Sequence, residues 1–278
     1  MTEQITLYAA KICPWSQRVE LALKEAKVEY TRYEIDLANK PAWYATKVNP
    51  ASKVPALAYG GPKVSPDTPS DESVKLAESG VLLEFVADIS GSLLPKDAVS
   101  RAKTRFFIET ATAQFSPAFY GAVARGESPE GILTVIETLQ ALLPAEGYAV
   151  GEYTTADAAV TPFFARANVA LKNDIGAYDA GEGVRVYNIL QSDPKFARFR
   201  KYYDDVTARD SFKETFHEVS SVHRPTSSVV LTCLRHRSIL KQFSRVDGLT
   251  SGPNGWPLHK LDQGYTPRSL KRHSRYVG

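Results

Sequence analysis

The chain has 278 residues, 43% of them hydrophobic and 23% charged, with a formal net charge of +3. That composition excludes fibrous and wholly disordered chains and leaves room for one large domain or two compact ones. Two cysteines cannot build a disulfide framework, no run approaches the roughly 20 apolar residues of a membrane span, and the start lacks a basic segment followed by an apolar one. The expectation is a protein of a reducing, cytoplasmic compartment without stable membrane insertion.

The charge is unevenly placed. Residues 218–278 hold ten Lys or Arg against three Asp or Glu, a net +7, so the remaining 217 residues carry −4. A basic tail attracts nucleic acid or anionic membranes by simple electrostatics. The body is acidic and carries no nucleic-acid motif, so no nucleic-acid partner is expected. The tail reads instead as a poorly ordered extension rich in Ser, Arg, Gly and Pro, with one apolar run, Val229 to Leu234, as a candidate strand.

Ile5 to Tyr8 is a short apolar strand. Pro14 stands where a first-turn proline belongs, and Val19, Leu21, Ala22, Leu23 and Ala26 follow at helical spacing. Tyr30 to Leu37 alternates as a second strand would, completing a βαβ beginning. Asn39 to Lys47 reads as a short helix or turn. Lys53 to Tyr59 reads as a third strand that tolerates Pro55 at its start or edge. Gly60 to Ser73, with three prolines, reads as a surface loop. Glu78 and Ser79 precede a packed helix that Gly91 to Pro95 ends.

From Ala98 the pattern turns helical. Phe106, Phe107, Thr110, Ala111 and Phe115 suggest one buried face. Ile132, Val135, Ile136, Leu139 and Leu142 suggest another. Thr154 and Asp157 form a capping-box pattern before Ala158, Val160, Phe163 and Phe164. Pro194 to Val206 reads as a last helix. The architecture expected is an α/β, thioredoxin-like domain (1–94) followed by an all-helical domain (95–217) and the basic tail (218–278).

Cys13 falls at the first strand–helix junction. Unpaired backbone donors and the helix dipole favour a thiolate there, and the thiolate is the nucleophile. The other reading is an inert buried thiol. A dithiol centre needs a second cysteine three positions on, and that position is Ser16. Chemistry would stop at a mixed disulfide until a second thiol arrived. Ser16 itself reads as a helix-surface residue or a weak donor to the thiolate, the former preferred. A cis Val54–Pro55 bond would turn the Val54 backbone toward an extended peptide-like ligand, although an ordinary loop proline fits the same residues. Glu78 and Ser79 form either a carboxylate and ammonium site or only a helix cap. Lys40 reads as a solvated lysine or a second carboxylate ligand. No metal site is indicated, because the body has one histidine and no paired cysteines.

Five stretches together resemble the cytosolic glutathione transferases, especially the omega class and its fungal cysteine-type relatives. They are Cys13-Pro14-Trp15-Ser16-Gln17-Arg18, Asn39 to Trp43, Asn49-Pro50 leading to Lys53-Val54-Pro55-Ala56-Leu57, Glu78-Ser79, and Thr155-Ala156-Asp157 with Pro162. The resemblance spans roughly residues 4–212. It implies the helical transferase C-terminal domain and glutathione as co-substrate. By it, Cys13 is the catalytic cysteine, the Val54 backbone before cis Pro55 pairs with the cysteinyl unit, Glu78 and Ser79 hold the γ-glutamyl group, and Lys40 reaches the glycine carboxylate. It also implies a homodimer and an interdomain acceptor cleft, for which Phe119, Tyr120, Arg125 and Phe164 are candidates. The Gly60–Ser73 loop is longer than the family hairpin, and the tail has no family counterpart.

The chemistry implied is thiol transfer. Cys13 attacks a small disulfide or electrophilic substrate, and possible further activities are dehydroascorbate and glutathionyl-ketone reduction. A non-catalytic binder of hydrophobic or aromatic molecules in the cleft is the alternative.

Overall fold

The computed structural model describes residues 3–217. The basic tail, its candidate strand Val229 to Leu234 and Cys233 lie outside the described residues.

Strand β1 (Ile5–Ala9) is central in a four-stranded sheet ordered β2-β1-β3-β4, with β2 at Thr31–Glu34, β3 at Ala56–Tyr59 and β4 at Val74–Ala77. β2 runs parallel to β1, joined by helix α1 (Pro14–Glu25), whereas β3 runs antiparallel to both of its neighbours, β1 and β4. Alternation along β1 sorts its side chains between two layers. Ile5, Leu7 and Ala9 enter the main core with Val19, Leu21 and Leu23 of α1 and with Leu82, Leu83 and Val86 of α3 (Ser79–Ser90). Tyr8 faces the opposite side, in a second buried cluster with Tyr44 of α2 (Ala42–Lys47).

This is the expected thioredoxin-like topology with three differences. The second strand is confined to Thr31–Glu34. Strand β4 has no counterpart in the sequence reading, because only four residues, none of them buried, pair with β3. Pro55 immediately precedes β3, so the missing N–H costs the ladder nothing.

The remaining described chain is helical. α4 (Ala98–Thr110), a π-helical stretch (Ala111–Phe115) and α5 (Ser116–Arg125) follow one another without a break. α6 (Glu130–Gln140), α7 (Thr155–Lys172), α8 (Glu182–Ser192), α9 (Ala197–Thr207) and α10 (Asp210–Thr215) follow. Two predicted core positions are on the surface. Phe106 is 61% exposed while Phe107, Ala111 and Phe115 are buried, and Leu142 is exposed while Leu133 is buried. The π-helical turn and the end of α6 at Gln140 shift the phase that a uniform 3.6-residue period assumes.

The capping box at α7 forms as its pattern requires: Thr154 Oγ1 accepts from the Ala156 N–H, and the Asp157 carboxylate accepts from the Thr154 N–H at 2.8 Å. Asp157 also accepts from the Ala149 N–H and the Tyr202 hydroxyl.

The helical part grips α1. Arg209 forms a two-pronged ion pair with Glu25, which also accepts from the Ser211 hydroxyl. Lys24 pairs with Glu214. Through these contacts α10 fixes the far end of α1, and α7 packs along its length.

Candidate active site

Cys13 is the N-cap residue of α1, with extended backbone dihedrals (φ −86°, ψ 115°) and Pro14 following at the first helical position. Its N–H donates to Ala10 O, and its carbonyl accepts from the Ser16 and Gln17 N–H groups. Proline at the first position leaves one fewer orphan donor around the cysteine. The side chain is 3% exposed and shares the second buried cluster with Tyr8, Tyr44 and Val54. Burial pushes the Tyr8 phenol up to about 12, helped by its neighbour Tyr33, so it stays protonated at neutral pH.

Ser16 is fully buried, not on the helix surface as the sequence suggested. Its hydroxyl accepts from the Ala10 N–H at 3.3 Å and so closes the loop before the cysteine. The reason is geometric: the first turn of α1 lies under the end of β1, so a residue there faces the loop.

Sheet register brings the other predicted residues to the same end. Tyr8 pairs with Ala56, and Ala56 with Ala77, so the loop after β1, Val54–Pro55 before β3 and Glu78–Ser79 after β4 lie at one end of the strands. Val54–Pro55 is cis. Tyr44 and Asn49 hold the preceding carbonyl of Lys53 at 2.6 and 2.9 Å. Lys40 is half-buried, and its ammonium donates to Ser52 O at 2.7 Å, two residues before Val54.

Glu78 is exposed and adopts φ 68°, ψ 109°, a region that β-carbon sterics disfavour for a non-glycine residue. Such strain costs of order 1–3 kcal/mol and concentrates where a ligand is clamped. Ser79 is buried at the first position of α3, and its Oγ accepts from Arg18 Nη1 at 3.4 Å.

Sequence reasoning missed two arginines. Arg18 on α1 is 3% exposed; burial pulls its guanidinium down to about 10, and its Nε has no partner. It lies over the Trp15 ring at 5.3 Å and reaches the N-terminus of α3. Arg166 on α7 donates to Lys11 O at 3.2 Å, Ile12 O at 3.3 Å, Gln17 Oε1 at 2.5 Å and Pro162 O at 3.0 Å. It therefore clamps the two residues before Cys13 from the helical side. The available signal was an arginine inside an otherwise apolar helical face, at Arg18 and again at Arg166.

Of the acceptor-cleft candidates, Phe119 and Tyr120 are buried, and Arg125 is turned to Glu127 on the surface. Phe164 packs edge-on against Phe115 and Phe199 in the helical core. Its neighbour Phe163 reaches the cysteine end instead, with its ring 4.7 Å from that of Trp15.

A thioredoxin-like sheet with a cysteine at the α1 N-cap, a cis proline before β3 and a helical second half defines a class of protein, and comparison with known proteins gives the same class. Residues 12–89 match the glutathione S-transferase N-terminal domain. Glutathione S-transferase L1 of Arabidopsis thaliana is 31% identical over 172 residues, spanning 59% of this chain and 67% of its own. Two solved structures from Trametes versicolor are nearer. Glutathione transferase Omega 1C is 55% identical with a TM-score of 0.77, covering 81% of this chain and 98% of its own. Omega 2C is 53% identical with a TM-score of 0.76, covering 84% and 99%. The chain belongs to the glutathione transferase family, in its omega class.

Proposed function

We propose that the protein is a glutathione-dependent thiol transferase and reductase in which Cys13 forms a mixed disulfide with glutathione. The observation that carries this is Cys13 at the α1 N-cap with a serine at position 16, already engaged with the loop backbone. In the first step the Cys13 thiolate attacks the glutathionyl sulfur of a mixed disulfide. The sulfur–sulfur bond breaks, the substrate thiolate leaves and takes a proton, and Cys13 becomes glutathionylated. A second glutathione thiolate then attacks that disulfide, releasing oxidised glutathione and regenerating Cys13. The net reaction consumes one free glutathione: the mixed disulfide and glutathione give the substrate thiol and oxidised glutathione. Dehydroascorbate and glutathionyl-ketone reduction reach the same glutathionylated Cys13 by other entries. In the first, the Cys13 thiolate adds to a dehydroascorbate carbonyl, and a glutathione thiolate attacks the Cys13 sulfur, breaking the C–S bond and expelling ascorbate. In the second, the Cys13 thiolate attacks the sulfur of the glutathionyl ketone, and the carbon group leaves as an enolate that takes a proton. A further glutathione then releases oxidised glutathione.

Glutathione is the co-substrate in this reading. Among the described residues nothing bonds the Val54 backbone N–H or carbonyl, which leaves both free to pair with the cysteinyl unit. Ser79 and Glu78 take the γ-glutamyl group, with the Arg18 charge behind Ser79. Lys40 takes the glycine carboxylate. The division is a glutathione-binding domain at 1–94, a helical domain at 95–217 and a tail at 218–278. The protein acts in the cytoplasm as a homodimer, and exposed Val74, Val81, Val99 and Phe106 on β4, α3 and α4 are apolar side chains that a second copy would cover.

A second reading is ligand binding in the cleft beside Trp15 and Phe163. It is favoured by a Trametes relative, 44% identical, solved in complex with 2,4-dihydroxybenzophenone. Intact mass separates the two. Oxidised glutathione should add one glutathione to wild type, none to Cys13→Ser, and reduced glutathione should remove it. No adduct on the folded wild type would leave ligand binding as the function.

A further inference from the structure

The helical half contains a cavity of about 180 Å³ between α6, α7, α8 and α9. Phe115, Phe164 and Phe199 form its floor, and each is at most 4% exposed. Their rings stand nearly at right angles: Phe115 to Phe164 at 4.8 Å and 82°, and Phe164 to Phe199 at 5.2 Å and 81°. The hollow is a pocket open at its rim, where Gln191 and Asp204 are exposed, over a buried aromatic floor. An engineered apolar cavity of about 150 Å³ binds benzene, so one aromatic ring is the scale of occupant that fits.

We propose that this cavity is a second small-molecule site that takes a neutral single-ring phenol. Perpendicular aromatic walls offer both faces and edges to a flat ring, the geometries that aromatic pairs prefer. Polar groups gather at the rim, not the floor. The Asn168 amide and the Asp204 carboxylate line it and can accept from a hydroxyl. A carboxylate at the rim disfavours an anionic ligand. Arg200 does not offset it freely, because its Nη1 is held by Leu190 O at 2.9 Å and Asp193 O at 2.8 Å. The volume matches one ring, whereas the ligand reading at the cleft beside Trp15 rests on a two-ring molecule. The second site is also independent of the thiol chemistry proposed for Cys13.

The two places share a wall. Phe115 and Phe164 also line a narrow apolar slot with Phe163, and Phe163 touches Trp15. An occupant of the cavity would brace that wall from behind.

Isothermal titration of the full chain with 4-ethylphenol tests the proposal. One molecule should bind per chain with a Kd on the order of 100 μM, as suits so few heavy atoms. Ala167 lines the cavity and is buried. Ala167→Leu should weaken binding by about tenfold or more by filling the space, with thiol turnover unchanged. Saturating S-hexylglutathione should leave binding intact. If Ala167→Leu does not fold, Ile136→Ala serves in the other direction, because the enlarged cavity should bind 4-butylphenol more tightly than wild type does. Absence of saturable binding, displacement by S-hexylglutathione, an unaffected Ala167→Leu or an unimproved Ile136→Ala would each overturn it.

Discussion

Two buried arginines flank Cys13, and they are partnered differently. Arg166 comes from the helical half and spends its guanidinium on three backbone carbonyls and the Gln17 amide. Arg18 comes from α1 itself, makes one long bond to Ser79 and leaves Nε without a partner. A buried charge with a full set of acceptors is structural; one left short is costly unless something completes it. The contrast separates an arginine that holds the cysteine loop from one that is left short of partners. It teaches that the helical half shapes the cysteine end before any substrate arrives.

Both roles presuppose that Cys13 is the exchange centre. Cys13→Ser should therefore lower thiol transferase kcat by about a thousandfold or more, while the melting temperature stays near that of wild type. Retained activity would remove the reason to rank the arginines at all. The next largest effect belongs to Arg166. Arg166→Ala strands the carbonyls of Lys11 and Ile12 and the Gln17 amide, at a cost of about 2–4 kcal/mol. For a domain of this size that is a fall in Tm of roughly 6–12 °C, read by calorimetry. Arg166→Lys should recover part of it, and a Tm unchanged in Arg166→Ala would break the contrast.

Much of this arrangement was legible in the sequence, and the rest was not for physical reasons. Pro14, the apolar spacing after it and the Thr154–Asp157 box locate α1 and α7 because their signals are local. The convergence of Cys13, Val54 and Ser79 followed from family resemblance and is explained by sheet register, which no local pattern encodes. Ser16 was misplaced because its burial depends on the loop folding over the first turn. Phe106 was misplaced because the π-helical stretch after α4 breaks the period. β4 escaped notice because a four-residue edge strand has almost no hydrophobic pattern. For Arg18 and Arg166 the only local signal is an arginine within an apolar helical face, and what each one holds emerges only from its three-dimensional partners.

Asp157 extends the contrast to a carboxylate. It is fully buried and has donors from Ala149, Thr154 and Tyr202. Burial pushes its carboxyl up to about 6, and those hydrogen bonds only partly oppose the shift. A carboxyl raised on folding binds more protons in the native state. Its contribution to stability is therefore greatest below the unfolded value and falls as pH rises toward 6. The span is at most roughly 3 kcal/mol. Glu25 acts in the opposite sense: burial raises it, but the bonds from Arg209 and Ser211 together outweigh burial and lower it. The clean measurement is thus a difference. Urea unfolding of wild type and Asp157→Asn should diverge by about 1–3 kcal/mol between pH 7 and pH 4, with wild type gaining on acidification. A pH-independent difference would mean that Asp157 stays ionised as readily as an exposed carboxylate.

The smallest effect is the sharpest test of the contrast, because it concerns Arg18. A buried guanidinium with one long bond and an unpartnered Nε contributes little to folding, so Arg18→Met should unfold no more easily than wild type, unlike Arg166→Ala. Its purpose would show in binding. A carboxylate at the N-terminus of α3 would meet Ser79 and the Arg18 charge together. Losing that charge should raise KM for glutathione about tenfold, roughly 1.4 kcal/mol, with kcat little changed. Ser79→Ala should act in the same direction, and the double variant should cost less than the sum, because Arg18 reaches the site through Ser79. If Arg18→Met instead lowers Tm as Arg166→Ala does and leaves KM alone, then both arginines are structural, and the γ-glutamyl carboxylate is held by Ser79 and the N-terminus of α3 without the Arg18 charge.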